Sequence, residues 1–548
     1  MEYKTPGVYV EEISTLPPSV AGVATAIPAF IGYTETGPLR VPTRISNLLE
    51  YEQIFGGADV STFSVTTSSA NGVTSVSSIT GSGTPAFTGV PRFLLYYQMQ
   101  HFFRNGGGSC YIISLGNYGG VATSNDFSQG LAELEKEDEP TLILLSDAVQ
   151  LDSASYYNVC QEALAQCAKL GDRFCIFDVR SDDPDASGFR SGIGINALKY
   201  GAAYTPYLNT SIPVAYEQDG VTVDVPSLQG SLTVEGLIIG YTGPSSDSPV
   251  VIIRAGSAGD PITVSVTNNE LTIAGTGSNA AVTDILTVWN GLSASERGLF
   301  TLAADGASPA NVTTTFNAPG NNIPFVQSAT STLRELESSE TGLYNQIKLA
   351  LSTTFVSLPP SAAIAGIYAN VDRTRGVWKA PANVSISSVT GPSALITHAE
   401  QENLNVDAQA GKSINAIRSF AGKGTLVWGA RTLAGNDNEW RYINVRRLFN
   451  MIEESVKKAT SFAVFEGNDA TTWLKVKGMI ESYLYGLWQQ GALAGPTPEA
   501  AYFVNVGLGR TMTTQDILEG RMIVEIGIAA VRPAEFIILK FSHKLQEA

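Results

Sequence analysis

The sequence predicts an α/β and α+β multidomain chain that carries an inserted all-β domain. Three observations lead there. The length of 548 residues exceeds what one compact core usually holds, so about two to four domains are expected. A strand–helix–strand block runs from Thr141 to Val179, and the texture changes to Val, Thr, Ser and Gly between Ser211 and Gly320.

Hydrophobic residues make up 44% of the chain and charged residues 16%, a globular balance rather than a disordered one. So low a charge fits either a surface covered by neighbours or the large core of an enzyme. The formal net charge of −17 argues against nucleic acid as a partner, because a phosphate backbone needs a basic face. The charge is uneven. Residues 211–320 hold ten acidic groups against Arg254 and Arg297, a balance of −8, whereas residues 415–482 hold ten basic against seven acidic, a balance of +3. The first region is expected to face solvent and the second an acidic neighbour. The opening Met1-Glu-Tyr-Lys-Thr-Pro-Gly7 has no apolar core of a signal peptide, and no run of about 18 apolar residues predicts a membrane span. Cys160 and Cys167 share a helical face with Ala163 and Leu164. With Cys110 and Cys175 they read as reduced core residues of a protein made in the cytoplasm.

In chain order, Val8 and Val10 alternate with Tyr9 and Glu11 between Pro6-Gly7 and Pro17-Pro18, a short strand between breakers. A second strand is expected over Ala26–Gly32. Residues 61–89, uncharged and rich in Ser, Thr and Gly, read as a surface loop or loose hairpin. Pro91 opens an aromatic helix that stops at Gly106-Gly107-Gly108, and a strand Cys110–Leu115 follows. Thr141–Leu145 (strand), Ser153–Leu170 (helix ended by Gly171) and Phe174–Val179 (strand) form a βαβ unit, so its strands are expected to be parallel. Within the inserted region, Ile262, Val264 and Val266 turn at Asn268-Asn269 into Leu271 and Ile273, a hairpin. Val445, Leu448, Phe449, Ile452 and Val456 mark an amphipathic helix, with Glu453→Lys457 and Glu454→Lys458 as i,i+4 pairs on its wet face. Trp473, Val476, Ile480, Leu484 and Leu487 mark another helix. Met522–Ala530 and Phe536–His543 read as closing strands, with Ile537, Leu539 and Phe541 pointing one way.

Both chain ends are thus extended and apolar. A solitary strand has unpaired N–H and C=O groups and needs a partner edge. That edge lies either in the same chain or on a neighbour's sheet, joined by strand addition.

Signals for chemistry are poor. His101, His398 and His543 are the three histidines, and neither an HExxH motif nor a GxSxG elbow is present. Gly411-Lys412-Ser413 imitates the end of a P-loop, but Val406 stands where its first glycine belongs. Asp182-Asp183-Pro184-Asp185 reads as a solvated turn rather than a cation loop, since no Glu follows at EF-hand spacing. No catalytic, cofactor or metal residue is nominated.

Several motifs carry a resemblance. Lys4-Thr-Pro-Gly-Val-Tyr-Val-Glu-Glu-Ile13, Pro359-Pro-Ser-Ala-Ala-Ile-Ala-Gly-Ile-Tyr368 and Asp372-Arg-Thr-Arg-Gly-Val-Trp-Lys-Ala-Pro-Ala-Asn383 are similar to the contractile tail sheath family of phages and phage-derived injection particles. So are Ile414-Asn-Ala-Ile-Arg418, Trp428-Gly-Ala-Arg-Thr432, Trp440-Arg-Tyr-Ile-Asn-Val-Arg-Arg-Leu-Phe449 and Arg532-Pro-Ala-Glu-Phe-Ile-Ile538. The similarity is dense over about residues 1–56, 91–206 and 355–548, while the stretch around 211–340 resembles no part of the shared core.

The resemblance implies a conserved core domain built from the N- and C-terminal segments (1–120 plus 365–548), an α/β, subtilisin-like but non-proteolytic middle domain (121–210 plus 321–364) and an inserted β-rich outer domain (211–320). It implies a structural protein, not an enzyme. Copies would form six-membered rings stacked helically around an inner tube, with baseplate and tail-terminator proteins as further partners, in a phage tail or an extracellular contractile particle assembled in the bacterial cytoplasm. Neither nucleic acid nor membrane insertion is implied. Val8, Tyr9 and Val10 would form one inter-subunit arm and Ile537, Leu539 and Phe541 the other, with Pro-Gly and Pro-Pro segments as hinges. The helix over Val445–Lys458 would grip the tube through Lys457 and Lys458, with Arg446 and Arg447 as further candidates, unless these charges pair with Glu453, Glu454 or neighbouring subunits. A surface-layer or adhesin-like binding protein is the rival reading, suggested by the Thr/Ser-rich insertion, and it would call for a secretion signal.

Overall fold

In the computed structural model, residues 20–540 are described, apart from 71–72, 83–86, 226–229, 244–246, 258, 276–279, 306–310, 325–328, 408 and 410. They fall into two compact units, one drawn from Met1–Asp59, Phe93–Ile212 and Val356–Ala548, the other from Val60–Arg92 and Pro213–Phe355.

The first unit is organised by a nine-stranded sheet. Its strands are β1 (Pro28–Gly32), β2 (Thr43–Ile45), β3 (Cys110–Ser114), β4 (Leu142–Leu145), β5 (Phe174–Asp178), β6 (Gly201–Thr205), β7 (Val384–Ser385), β8 (Asn415–Phe420) and β9 (Gly424–Val427). They lie in the order β2-β3-β1-β4-β5-β6-β8-β9-β7. Neighbours from β3 to β8 are parallel, and β2, β9 and β7 join antiparallel at the two sides. The parallel strands β1, β3, β4, β5 and β6 are buried at every position, as sheets covered on both faces require. The expected parallel βαβ unit is therefore part of a larger sheet, one that unites strands from segments the resemblance had divided between a core and a middle domain.

Among the helices that pack with this sheet are α1 (Leu95–Arg104), α2 (Ser153–Leu170) and α3 (Ser361–Arg375). Helix α1 begins at Leu95, four residues after Pro91, because the Asp147 carboxylate accepts the Leu94 N–H at 2.6 Å and caps the helix there. Helix α2 ends as expected, with Gly171 in the left-handed region at φ 79°. It buries Cys160, Ala163, Leu164 and Cys167. At the end of β5, Asp178 accepts the Ser361 N–H at 2.7 Å and its hydroxyl at 2.6 Å, capping α3. Burial pushes Asp147 up to about 6 and Asp178 up to about 7, against the hydrogen bonds that favour their charged forms.

A second core of this unit lies between α4 (Ile443–Ala459), α5 (Ala470–Gln489) and an antiparallel pair, β10 (Tyr502–Val506) with β11 (Val524–Ile528). Leu448, Ile452, Val476, Ile480, Leu484 and Val504 fill it. Both helices match the predicted apolar spacings.

In the second unit, the segment read as a loop or loose hairpin is a hairpin, Thr62–Ala70 against Val73–Ser82 with a register shift between Thr66 and Thr67, and Val221–Val225 lies parallel beside it. Phe63 and Val65 are buried on it, and these alternate apolar positions give the strand its inward face. The hairpin Thr263–Thr267 to Glu270–Ala274 turns at Asn268 and Asn269 with φ 49° and 62°, the positive pair that a two-residue turn demands. The insertion is not all-β. Val282–Gly291 is a helix that buries Val282, Ile285 and Trp289, at i, i+3 and i+7, into the core shared with Leu237, Val251 and Leu271. The unit also reaches beyond 211–320, taking in residues 60–92 and continuing to Phe355.

Candidate assembly interface

Helix α4 was expected to show its cations to a partner. Arg446 and Arg447 do the reverse, and this corrects the expectation for both. Arg446 is 2% exposed and donates from Nε to Asn450 Oδ1 at 2.7 Å and from Nη2 to Glu453 Oε2 at 2.8 Å. Its guanidinium lies 4.3 Å from the Trp440 ring centroid and 5.1 Å from that of Tyr200. Arg447 is 3% exposed and forks onto Asp372, Nη1 to Oδ1 at 3.0 Å and Nη2 to Oδ2 at 2.5 Å. Nη2 also donates to the Thr25 carbonyl at 2.9 Å, and the Tyr368 ring lies 4.6 Å away. Planar guanidinium groups suit such stacked and bidentate sites, so both are internal fasteners.

The lysines differ. Lys457 is 69% exposed and bonds Glu454 Oε2 at 3.1 Å, in i,i+3 spacing. Lys458 bonds Asp138 at 2.7 Å and Glu454 at 3.4 Å. Glu453 turns to Arg446 instead of Lys457, so the expected Glu453→Lys457 pair gives way to Glu454 serving both lysines. The Lys457 and Lys458 ammonium groups, 69% and 42% exposed, are open to a competing anion, but the Glu454 carboxylate they share is only 9% exposed.

The chain ends meet on α4. On the N-terminal side, the Val23 N–H donates to Ser455 Oγ at 3.0 Å, and Thr25 is held by Arg447 and by its own hydroxyl on Asp372 Oδ2 at 2.5 Å. Val8, Tyr9 and Val10 lie outside the described residues. On the C-terminal side, Asn444 Nδ2 donates to the Val531 carbonyl at 3.1 Å. The Glu535 carboxylate then takes Arg431 Nε at 2.9 and 3.1 Å, Arg431 Nη2 at 2.6 Å, Asn405 Nδ2 at 2.8 Å and Tyr442 Oη at 3.2 Å. Burial works to raise the pKa of Glu535, but the bonds from Arg431 and Asn405 outweigh it and hold the carboxyl below its usual value.

Beyond Glu535 the described residues form no strand. Phe536, Ile537, Ile538 and Leu539 are 69–80% exposed. The expected one-sided strand is therefore corrected. Ile537 and Leu539 are uncovered, but so are Phe536 and Ile538 on the opposite face; Phe541 lies outside the described residues.

The remaining candidates are tied into the chain. His101 is buried, bonds the Ser387 carbonyl through Nε2 and is lowered to about 4 by burial. His398 is the first residue of a short helix, and its Nδ1 meets Arg418; His543 lies outside the described residues. Lys412 Nζ donates to the Arg190 carbonyl and Ser413 Oγ to the Asn405 carbonyl. In the acidic turn, Asp182 bonds Arg180, Asp183 caps Gly188 and Phe189, and Asp185 caps Ser187.

The model of the phage tail sheath C-terminal domain family matches residues 435–544, which span α4, α5, β10, β11 and the clamp at Glu535. The tail sheath protein of Vibrio phage KVP40 is 29% identical over 136 residues, 25% of this chain and 20% of that protein. The tail sheath protein of Enterobacteria phage T4 is 26% identical over 185 residues, 34% of this chain and 27% of its own length. The matches thus span well under half the length of these curated relatives. Among solved structures, the contracted helical sheath of the anti-feeding prophage aligns over 99% of this chain and 100% of its own, at 26% identity and a TM-score of 0.56. The contracted sheath of the extracellular contractile injection system PVC aligns over 99% of both chains, at 25% identity and a TM-score of 0.55. Residues 435–544 thus match the tail sheath family, and the chain as a whole is similar in sequence and fold to contractile sheath proteins.

The full-length alignments take in the stretch around 211–340, which resembled no shared core in sequence. Sequence reasoning missed Asp372, Asn444, Ser455 and Glu535, the groups that fix the two ends. Asp372 and Arg447 stand in motifs that carry the resemblance, but they lie 75 positions apart and no periodicity joins them.

Proposed function

We propose that this chain is the structural subunit of a contractile sheath. Copies polymerise as six-membered rings stacked helically around an inner tube, between a baseplate and a terminator, and shorten to drive the tube through a target envelope. The observation that carries the reading is the apolar run Phe536–Leu539, uncovered on both faces and leaving the molecule from a fixed point. Four consecutive large apolar side chains in water are a docking element rather than a resting surface. The antiparallel pair β10–β11 suits the receiving role, because among the described residues no further strand borders it and a two-stranded sheet is marginal alone. The N-terminal segment rooted at Val23 and Thr25 supplies the second arm.

The work would come from packing. At roughly 25 cal/mol per Å² of apolar surface, a few hundred Å² more burial per subunit in the short state releases several kcal/mol, before entropic and desolvation costs. This requires no nucleotide, and the reading assigns the chain no catalytic residue, cofactor or metal. The subtilisin-like middle domain and the outward position of the β-rich insertion belong to the same proposal.

Lys457 and Lys458 are assigned to the tube. Because contraction must break that contact, exposed ammonium groups that can take up a tube carboxylate, while one of them stays on the buried Glu454, suit it. The test is co-expression with the tube protein followed by negative-stain microscopy, which should show sheathed tubes of two lengths. Lys457→Glu with Lys458→Glu should reduce sheathed tubes by about tenfold or more at unchanged tube number, the scale of two reversed charge contacts. Sheathing at the wild-type level would remove these lysines from the interface, and the absence of any helical polymer from the wild-type chain would defeat the sheath reading.

A further inference from the structure

We infer that the Glu535–Arg431 clamp is the tension-bearing root of the C-terminal arm, transmitting pull from a second copy of this chain into the nine-stranded sheet. The inference rests on the arm reading above and adds the residues through which the arm acts. The boundary between held and unheld chain falls at this carboxylate. Val531 is tied to Asn444, Glu535 takes donors from Arg431, Asn405 and Tyr442, and Phe536–Leu539 stand exposed immediately after. Any pull on the tail meets Glu535 first.

The clamp is in turn joined to the sheet. The Arg431 N–H donates to Asn415 Oδ1 at 2.8 Å, and Asn415 Nδ2 donates to the Arg431 carbonyl at 2.8 Å and to the Ala203 carbonyl at 3.2 Å. Asn415 begins β8 and Ala203 lies in β6, adjacent parallel strands. The route is thus tail, Glu535, Arg431, Asn415 and two strands at the centre of the unit.

Stability alone does not account for the choice of residues. Arg431 is 4% exposed and Glu535 22%, so the pair has given up much of its hydration, and apolar residues of similar volume would stabilise a static joint as well. A bidentate fork contributes direction: it fixes where the tail leaves and resists sliding along the chain. Such a joint matters where the segment beyond it is gripped by another molecule that moves.

The experiment uses the full-length chain assembled on tubes, with contraction triggered by urea and particles counted by negative stain. Glu535→Gln keeps the shape and removes the charge; Arg431→Lys keeps the charge and removes the fork. Each breaks a largely buried pair and is expected to lower monomer melting, so sheaths are compared at a temperature where every monomer is fully folded; there both variants should lower the fraction of sheaths that contract without breaking by roughly tenfold, the factor expected from losing a charge-assisted hydrogen bond. Failure of both to assemble at a temperature where their monomers are folded also supports the clamp. Intact contracted sheaths at wild-type frequency in both variants would overturn it. A truncation of residues 536–548 separates the two readings. If the truncated chain still builds sheaths, the arm reading fails. If it does not, while both clamp variants behave as wild type, only the clamp inference fails.

Discussion

Deletion of residues 1–13 should abolish sheath polymerisation and leave a folded monomer. The basis for the second half is that the N-terminal segment is fastened downstream of the deletion. Val23 bonds Ser455, Thr25 is held by Arg447 and Asp372, and the Ile27 N–H donates to Thr141 Oγ1 at 2.9 Å just before β1. None of these contacts involves the deleted residues. The basis for the first half is the sequence expectation of a short strand over Val8–Val10, since a lone strand gains its hydrogen bonds only on a partner edge. Circular dichroism and melting of the truncated monomer should match the full chain, and micrographs should show bare tubes. Long sheaths from the truncated chain would contradict the arm model.

Arg447→Ala should produce the largest loss of monomer stability among the charged residues of α4, about 3–5 kcal/mol, because it strands the Asp372 carboxylate in the interior. Asp372 is 7% exposed, and its remaining donor is the Thr25 hydroxyl. Lys457→Ala is the contrast, expected to cost under about 1 kcal/mol because its ammonium is 69% exposed and Lys458 still pairs with Glu454. A double change, Arg447→Met with Asp372→Leu, should recover much of the loss, since neither buried charge is then left alone. Denaturant unfolding of the four proteins reads this directly; equal effects for Arg447→Ala and Lys457→Ala would show that the fork is not structural. The consequence for assembly is separable: because Arg447 also holds the Thr25 carbonyl, the recovered double variant should still root the N-terminal arm loosely and form fewer sheaths.

The sequence was a good guide wherever a local rule decides the outcome. Gly171 ended α2 because only glycine enters the left-handed cap without strain. Asn268-Asn269 turned the hairpin because both positions need positive φ. The apolar spacings of α4 and α5 placed both helices, since burial of one face follows the 3.6-residue period. Alternation also hid things. The helix Val282–Gly291 sits in a Val/Thr/Ser texture that reads as strand, and tertiary packing of Ile285 and Trp289 overrides it.

The sequence by itself determined which segments are helix, strand or turn over most of the first unit, and its motifs pointed to the family. Only the tertiary structure decided what the charged side chains of α4 do and how the ends are fixed. Periodicity ranks a residue by its neighbours a few positions away, whereas Arg447 meets Asp372 across 75 positions and Arg431 meets Glu535 across 104. In a helix buried on most of its circumference, an arginine goes outward or inward according to whether a carboxylate waits there, and that depends on how distant segments come together.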